Sequence, residues 1–459
     1  MHIHFIGIGG IGMSALAQFH RARGWRISGS DLKRSEITDA LRRQGIRVAI
    51  GQRKANVTPD TTRVVYTVAV PPKNPELREA KRRNIKTQTY AEAVGELTRK
   101  YRLIAVAGAH GKSTTTGMLA AVFRAARRDP TVIVGTKLRE LGGSNFRVGT
   151  SPYFLLEADE YRASFWNYRP TVAVVLNIDR EHLDFYHSIQ KIKAAYLRFL
   201  RNITPGGTAV LNRDDPRVGR VGARLKRMRP DIRVIWFSLR DSSAKQITKV
   251  IKIPGAHNRS NALAAYAAAK TLGITPHIIL VGISRYRGAW RRFQRLGTFR
   301  EAKLYADYAH HPTEVRATIA GAREQYPRHR IIVVFQPHHY ERMRTLFPEF
   351  TRAFDGCNQL YLLDIYEVAG REAGHHGPNV KALAAAIRKR GHPAEYVPPS
   401  ANLGSFLKSR LKQNDVLIMM GAGSIWEMTK ALLPGRKPTF VPRTFDRAQS
   451  RAAGRGKDK

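Results

Sequence analysis

Sulfur chemistry is the first thing this sequence excludes. One cysteine, Cys357, stands among 459 residues. No intrachain disulfide can form and no four-cysteine zinc site can be built, which fits a reducing compartment. Long apolar runs are missing too: none approaches the ~18 residues that a membrane-spanning helix needs. The amino terminus, MHIHFIGIGGIG, lacks a basic stretch leading into an apolar one and does not read as a signal peptide. The expectation is a soluble, cytoplasmic chain. Acidic residues are scarce, 35 Asp and Glu against 79 Lys and Arg, for a formal net charge of +44. Such a charge attracts phosphate polymers and acidic surfaces non-specifically, so adventitious RNA adsorption is expected. The basic residues run along the whole chain, often on helix faces such as Arg21-Ala22-Arg23 and residues 224–229, as on a solvated surface. No RNA-binding signature, base-stacking aromatic cluster or internal repeat accompanies them.

What is present is globular. Hydrophobic residues make up 43% and charged residues 25%, which excludes wholesale disorder. At ~150 residues per domain the length suggests about three domains. Short apolar runs alternate with amphipathic stretches, the pattern of a parallel α/β architecture. The runs include Ile3–Ile6, Leu103–Ala107, Phe154–Leu156, Val172–Leu176, Ile331–Phe335, Leu360–Leu363 and Val416–Met420, each as long as a strand buried on both faces. Joints are expected near Thr98–Tyr101 and in Ser284–Phe293, giving domains 1–97, 98–292 and 293–459. A basic, aliphatic-poor tail from about Arg436 reads as frayed or disordered.

Two glycine loops carry chemistry. The first, Gly7-Ile8-Gly9-Gly10-Ile11-Gly12, follows an apolar strand and opens an expected helix, Met13–Arg23. Asp31 closes the next expected strand, Trp25–Ser30. This is the context of a dinucleotide fingerprint, in which glycines let the backbone approach a diphosphate. The motif does not distinguish NAD from another diphosphate such as a UDP-sugar. The second loop, Gly108-Ala109-His110-Gly111-Lys112-Ser113-Thr114, follows the strand Leu103–Ala107. It is a shortened Walker loop, because Val106 stands where the strict pattern has glycine. Backbone N–H groups can still cradle phosphates, Lys112 can reach the β/γ oxygens, and the Ser113 hydroxyl can face Mg²⁺. Carboxylates follow at the ends of two further strands, in Glu157-Ala158-Asp159-Glu160 and in the stretch Asn177 to Asp184, which also holds His182. Oxygen ligands of this kind suit Mg²⁺ beside nucleotide phosphates.

These segments resemble the Mur ligases, the ATP-dependent amide-forming enzymes of peptidoglycan precursor synthesis, from residue 2 to about 430. The resemblance is carried by HFIGIGGIGMSALA, GAHGKSTTT, EADEYRASF, NIDREHLDFY, PGAHNRSNALAA, RRFQ, DYAHHPTEVRATI, VVFQPHHYERMRTLFPEF and MGAGSIW. It implies an N-terminal Rossmann-like domain that binds the UDP-substrate, a central P-loop ATPase-type domain, and a Rossmann-like C-terminal domain. It implies ATP and Mg²⁺, with UDP-N-acetylmuramate and an amino acid, L-alanine in the branch this pattern is nearest, as substrates. Gly9, Gly10, Gly12, Asp31, Asn177, His310, His338 and His339 would then serve the UDP-substrate. Gly108 to Thr114, His257, Asn258, Asn261, Arg292, Asp307 and Tyr308 would serve ATP. Ser113, Glu157 and His182 would serve magnesium, and Lys112, Glu157, His182 and Arg342 catalysis. EADEY and HNRSNALAA also look like the branch that attaches recycled tripeptide, against which QPHHYER argues. A nucleic-acid-binding P-loop ATPase is the reading from another class. A monomer or a dimer is expected.

The chain departs from the family pattern in places. Tyr196 stands where many sister ligases carry a lysine that becomes carbamylated, as suits the alanine-adding branch. Glu181 replaces the usual Asp, Ala109 and Ala309 replace Thr and Gly, Thr67-Val68 replaces a serine pair, and His339 replaces Arg.

Overall fold

The computed structural model describes residues 1–367 and 378–433; the tail expected to fray from about 436 lies outside the described residues. Three sheets form among them.

The first has five parallel strands in the spatial order Arg47–Ile50, Arg26–Asp31, His2–Ile6, Arg63–Tyr66, Lys86–Thr89. Its earliest strand is its middle one, and the strand order reverses beside it. In such sheets a crevice opens at the carboxyl ends next to the reversal. Ile3 and Phe5 face one buried cluster and Ile6 another, which is why His2–Ile6 reads as a near-continuous apolar run.

The second sheet has the order Arg233–Phe237, Thr208–Asn212, Val172–Val175, Arg102–Ala107, Tyr153–Glu157, Thr131–Leu138, Ser144–Arg147. Only the last strand runs antiparallel to its neighbour. Val106 lies opposite both Glu157 and Val174. The loop after Ala107, the Glu157 carboxylate and the segment after Val175 therefore emerge at one edge.

The third sheet runs Gln294–Phe299, Ala302–Asp307, Val416–Met420, Ile331–Phe335, Gln359–Leu362, Ala394–Tyr396, parallel except for the first strand. Every residue of Ile331–Phe335 and Val416–Met420 is buried. At ~1.5–3 kcal/mol per fully buried large apolar side chain, these central strands anchor the sheet.

Residues 1–250 with 260–286 form one compact unit, and residues 251–259 with the described chain from Arg287 onward form another. No described helix is long and apolar enough to cross a membrane.

Candidate active site

The first glycine loop turns sharply out of His2–Ile6. Its helix begins at Ile11, two residues before the expected start, and runs to Ala22 with Gly10 at the N-cap. The Gly9 N–H donates to Asp31 Oδ2 at 2.9 Å, so Asp31 braces the loop. A Cβ on Gly12 would lie 2.9 Å from the Tyr90 ring; only glycine lets the helix start this close to that ring. The first-turn N–H groups have no intrahelical acceptor and sit at the positive end of the helix dipole, a setting made for a diphosphate.

The second loop leads into the helix Lys112–Ala125. Gly111, the N-cap, has φ +86°, and a Cβ there would collide with the Asn261 amide. Asn261 thus walls the loop on one side. Asn177 clamps it on another: its Oδ1 accepts the His110 N–H at 2.8 Å and its Nδ2 donates to the His110 carbonyl at 3.0 Å. His110 Nε2 lies 3.3 Å from Asp179 Oδ2. Asn177, expected at the UDP-substrate, therefore directs its amide to the phosphate loop. Thr114 is buried in the first turn of the helix.

Lys112 Nζ donates to the Gly108 carbonyl at 2.7 Å and to Glu160 Oε2 at 2.8 Å. Burial alone would lower the ammonium pKa. Glu160, Asp159 and Glu157 outweigh it and hold Lys112 above the ordinary lysine value, so it is a permanent cation. Ser113 Oγ donates to Glu157 Oε2 at 2.9 Å, and the Gly135 N–H reaches the same oxygen at 2.7 Å.

The structure brings Ser113 and Glu157 together, whereas His182 sits with Asp159 and Glu160. One ligand atom from each of these three lies within 4.8 Å of the others. His182 is held at φ +54°, and its Nε2 is 3.8 Å from Glu160 Oε1. The Tyr186 hydroxyl donates to the Glu160 carbonyl at 2.5 Å. Oxygen donors, one imidazole and a Glu160 Oε1 that accepts no hydrogen bond among the described residues make a donor set that fits a hard divalent cation. Sequence reasoning named Glu160 among the carboxylates but singled out Glu157 alone, because a glutamate is rarely buried and the letters EADE do not say which carboxylate turns inward. Tyr196 is buried and its hydroxyl also lacks a hydrogen-bond partner among the described residues.

The second unit has its own cluster. Asp307 ends a central strand and accepts N–H groups from Phe293 and Ala309, each at 2.7 Å. Burial pushes its carboxyl up to about 6 against the opposing pull of Arg292 and of those two N–H groups. Arg292 reaches Glu314 Oε1 at 3.3 Å and lies over the Tyr308 ring. His310 Nδ1 is 3.0 Å from the Tyr308 carbonyl and 3.3 Å from Glu314 Oε2. His310, His338 and His339 form a run of edge-on rings, and His338 stacks on Tyr366. Arg342 Nη1 donates to the His338 carbonyl at 3.0 Å. Asn258 Nδ2 donates to the Pro254 carbonyl at 2.6 Å; His257 precedes it in the helix Ala256–Thr271. Arg291, which sequence reasoning passed over, is buried among Trp290, Tyr308 and Trp426 and donates to the Gly421 carbonyl at 2.6 Å. It ties the RRF, DYAHH and GAGSIW segments together. A buried arginine beside three aromatic rings leaves no local spacing signal.

Three family models match in chain order: the Mur ligase catalytic domain over residues 2–102, the Mur ligase middle domain over 106–269, and the glutamate ligase domain over 291–423. The chain belongs to the Mur ligase family. Among curated relatives, the UDP-N-acetylmuramate–L-alanine ligase of Agathobacter rectalis is 39% identical, with 94% of this chain and 98% of that one covered. The enzyme of the same name from Acetivibrio thermocellus is 38% identical, with 96% and 97% covered. Among solved structures, the UDP-N-acetylmuramate–alanine ligase of Thermotoga maritima superposes with a TM-score of 0.77 at 25% identity, covering 94% of this chain and 98% of that one. A murein peptide ligase from Psychrobacter arcticus superposes at 0.69 and 21% identity over 97% and 100%, a likeness of fold. This Mur ligase is accordingly an ATP-dependent α/β enzyme of three domains.

Proposed function

We propose that this Mur ligase joins L-alanine to the lactyl carboxylate of UDP-N-acetylmuramate, converting ATP to ADP and phosphate, in the cytoplasmic stage of peptidoglycan precursor synthesis. The observation that carries the reading is the 39% identity to an L-alanine ligase across 94% of the chain. The phosphate-loop geometry is consistent with it. We infer domains at 1–97, 98–292 and 293–459, with the UDP group at Gly9–Gly12 and ATP at Gly108–Thr114, and a monomer or dimer in solution.

A carboxylate does not condense with an amine at neutral pH; it must first acquire a good leaving group. Phosphoryl transfer from ATP supplies one as an acyl phosphate, which the amine then attacks through a tetrahedral intermediate. The loop N–H groups between Gly108 and Ser113 bind the phosphates. Lys112 brings a fixed positive charge to the phosphoryl group in transit, and Asn261 and Asn177 keep the loop in shape. A bound Mg²⁺ would add charge neutralisation at the phosphate oxygens; Ser113 and Glu157, with Asp159, Glu160 and His182, would hold magnesium. His338, His339 and Arg342 form the basic cluster suited to the acidic end of the substrates.

The test is phosphate release from ATP and Mg²⁺ with UDP-N-acetylmuramate, adding L-alanine, glycine, L-serine, tripeptide or RNA in turn. Alanine-dependent release is expected. Release driven by tripeptide alone, or by RNA, would assign the enzyme elsewhere.

A further inference from the structure

A line of buried polar side chains crosses one face of the first sheet. His2 and His4 alternate along the middle strand, Ser28 and Ser30 along its neighbour, and His4 lies in register with Ser28. All four are buried, as is Glu76 of the helix Pro75–Arg82. Asp60 Oδ2 lies 3.1 Å from His2 Nδ1, His2 Nε2 2.8 Å from Ser28 Oγ, Ser28 Oγ 2.9 Å from His4 Nδ1, and His4 Nε2 3.4 Å from Glu76 Oε2. Glu76 Oε2 also accepts the Ser30 hydroxyl at 2.5 Å. The Ser30 carbonyl in turn accepts the N–H groups of Gly7 and Ile8, at 2.8 and 3.0 Å. The line therefore ends beneath the turn into the first glycine loop.

Each of the four in-line contacts needs one hydrogen. A serine and two neutral imidazoles bring three. Thr58 does not supply the fourth, because its hydroxyl donates to Asp60 Oδ1 at 2.7 Å. With only three, two lone pairs would face each other where buried polar groups are normally satisfied. The fourth hydrogen is an added proton, and its neighbours say where it sits. Burial pushes the His2 pKa down; Asp60 opposes this and Arg26 and His4 reinforce it. Burial would raise Glu76, but hydrogen bonds from His4, Ser30 and Asn56 outweigh it and hold the carboxyl below its ordinary value. The Thr58 hydroxyl holds Asp60 low as well. His4 is left. The other charged groups against the line are Arg26, paired with Asp60 at 2.5 Å, and Arg47, which lines the same small cavity as His2 and His4. The Arg83 guanidinium is taken up by the carbonyls of Val57, Thr58 and Pro59. No lysine or arginine side chain bonds to Glu76 among the described residues.

We propose that His4 holds this added proton at neutral pH, and that the His4–Glu76 pair positions the first glycine loop through Ser30. Both are positioning residues. As pH rises and the proton leaves, Glu76 is stranded without a cation and the grip of the loop on a diphosphate weakens. Only the last step rests on the reading of Gly9–Gly12 as the UDP-substrate site.

The test is two-bond proton–nitrogen correlation on the imidazoles of the full-length protein, with His4 assigned by the signals lost in His4→Gln. At pH ~7 both His4 nitrogens should carry hydrogen, and of His2 only Nδ1. Two variants complete the four contacts with neutral imidazoles, in opposite senses. In Glu76→Gln the new amide can donate to His4 Nε2, so His4 should become the neutral Nδ1–H tautomer. In Asp60→Asn the new amide can donate to His2 Nδ1, so His4 should become the neutral Nε2–H tautomer. Asp60 is 45% exposed, so this variant carries the test if Glu76→Gln does not fold. A neutral His4 in the wild type at pH ~7, or an imidazolium in Asp60→Asn, would overturn the proposal. The Kd for UDP-N-acetylmuramate, measured without ATP, should rise about tenfold between pH ~6.5 and ~9 in the wild type, the loss of one charged hydrogen bond, and stay flat in Asp60→Asn. A flat wild-type profile would overturn the positioning role. No binding at any pH would sink the ligase reading instead and leave the His4 proton standing.

Discussion

Lys112 and Glu160 close on each other across the mouth of the phosphate loop, Nζ to Oε2 at 2.8 Å, with side chains 13% and 2% exposed. The ammonium is held charged before any nucleotide arrives. Removing it does two separable things. Lys112→Ala takes away the cation we propose neutralises the moving phosphoryl group, and turnover should fall at least 100-fold, the usual cost of losing one well-placed donor. UDP-N-acetylmuramate affinity should stay near wild type. The variant also strands a buried carboxylate, at a cost of ~3–5 kcal/mol. Adding Glu160→Gln should return part of that stability and none of the activity. Urea unfolding and steady-state turnover of the single and double variants measure both. Turnover above a tenth of wild type would remove Lys112 from its assigned role.

Dissolved bicarbonate should be irrelevant to the rate. Tyr196 cannot carry a carbamate, and its hydroxyl has no partner among the described residues to lose. Stripping carbon dioxide from the buffer should leave ligation unchanged. Tyr196→Phe should keep activity, with stability neutral or slightly improved, because it deletes an unmet polar group. A rate restored only by added bicarbonate would mean that a lysine elsewhere is carbamylated.

His20 sets an acid limit on the fold. It is buried against Phe19 and Trp25. Burial, reinforced by Arg63 and Arg23 against the opposing Glu96, pushes its pKa down to about 4. Below pH ~6.5 the unfolded chain takes up a proton at this residue that the folded chain refuses. Its contribution is therefore complete above pH ~6.5 and is lost as pH falls toward about 4, by roughly 1.4 kcal/mol per pH unit. Urea midpoints at pH 7, 5.5 and 4.5 should drop more steeply in the wild type than in His20→Leu. Parallel profiles would show that His20 does not govern this slope.

Purified protein should carry nucleic acid that leaves as salt is raised, because the +44 charge makes phosphate contacts that weaken steeply with ionic strength. The ratio of absorbance at 260 and 280 nm follows this. RNA that stays bound at high salt and stimulates ATP hydrolysis would favour the nucleic-acid-binding ATPase.

The central strands were legible because burial on both faces writes itself as a continuous apolar run. Ile331–Phe335 and Val416–Met420 begin and end where the letters place them. Edge strands were not: Lys86–Thr89, KTQT, and Ser144–Arg147, SNFR, owe their strand character to a neighbour's hydrogen bonds. The glycine loops were legible because they need special residues at fixed spacing. Glu160 and Arg291 were not, since their importance lies in being buried, and burial of a charge is decided by tertiary partners far along the chain. The same holds for Asn177, whose amide turns to His110, 67 positions away.

The strand orders also set a timetable for synthesis. In the first two sheets the strand bearing the glycine loop is made first and lies inside the sheet; the first sheet can grow outward from it, whereas in the second Tyr153–Glu157 closes between Arg102–Ala107 and Thr131–Leu138 after both are made. The third waits longest for its inserted strand. Val416–Met420, which separates Ala302–Asp307 from Ile331–Phe335, leaves the ribosome last. Until it arrives, the nascent third sheet is two pieces with open edges, the kind of exposed pairing surface that holdase chaperones recognise. A chain truncated before Val416 would thus carry two complete sheets and one that cannot close.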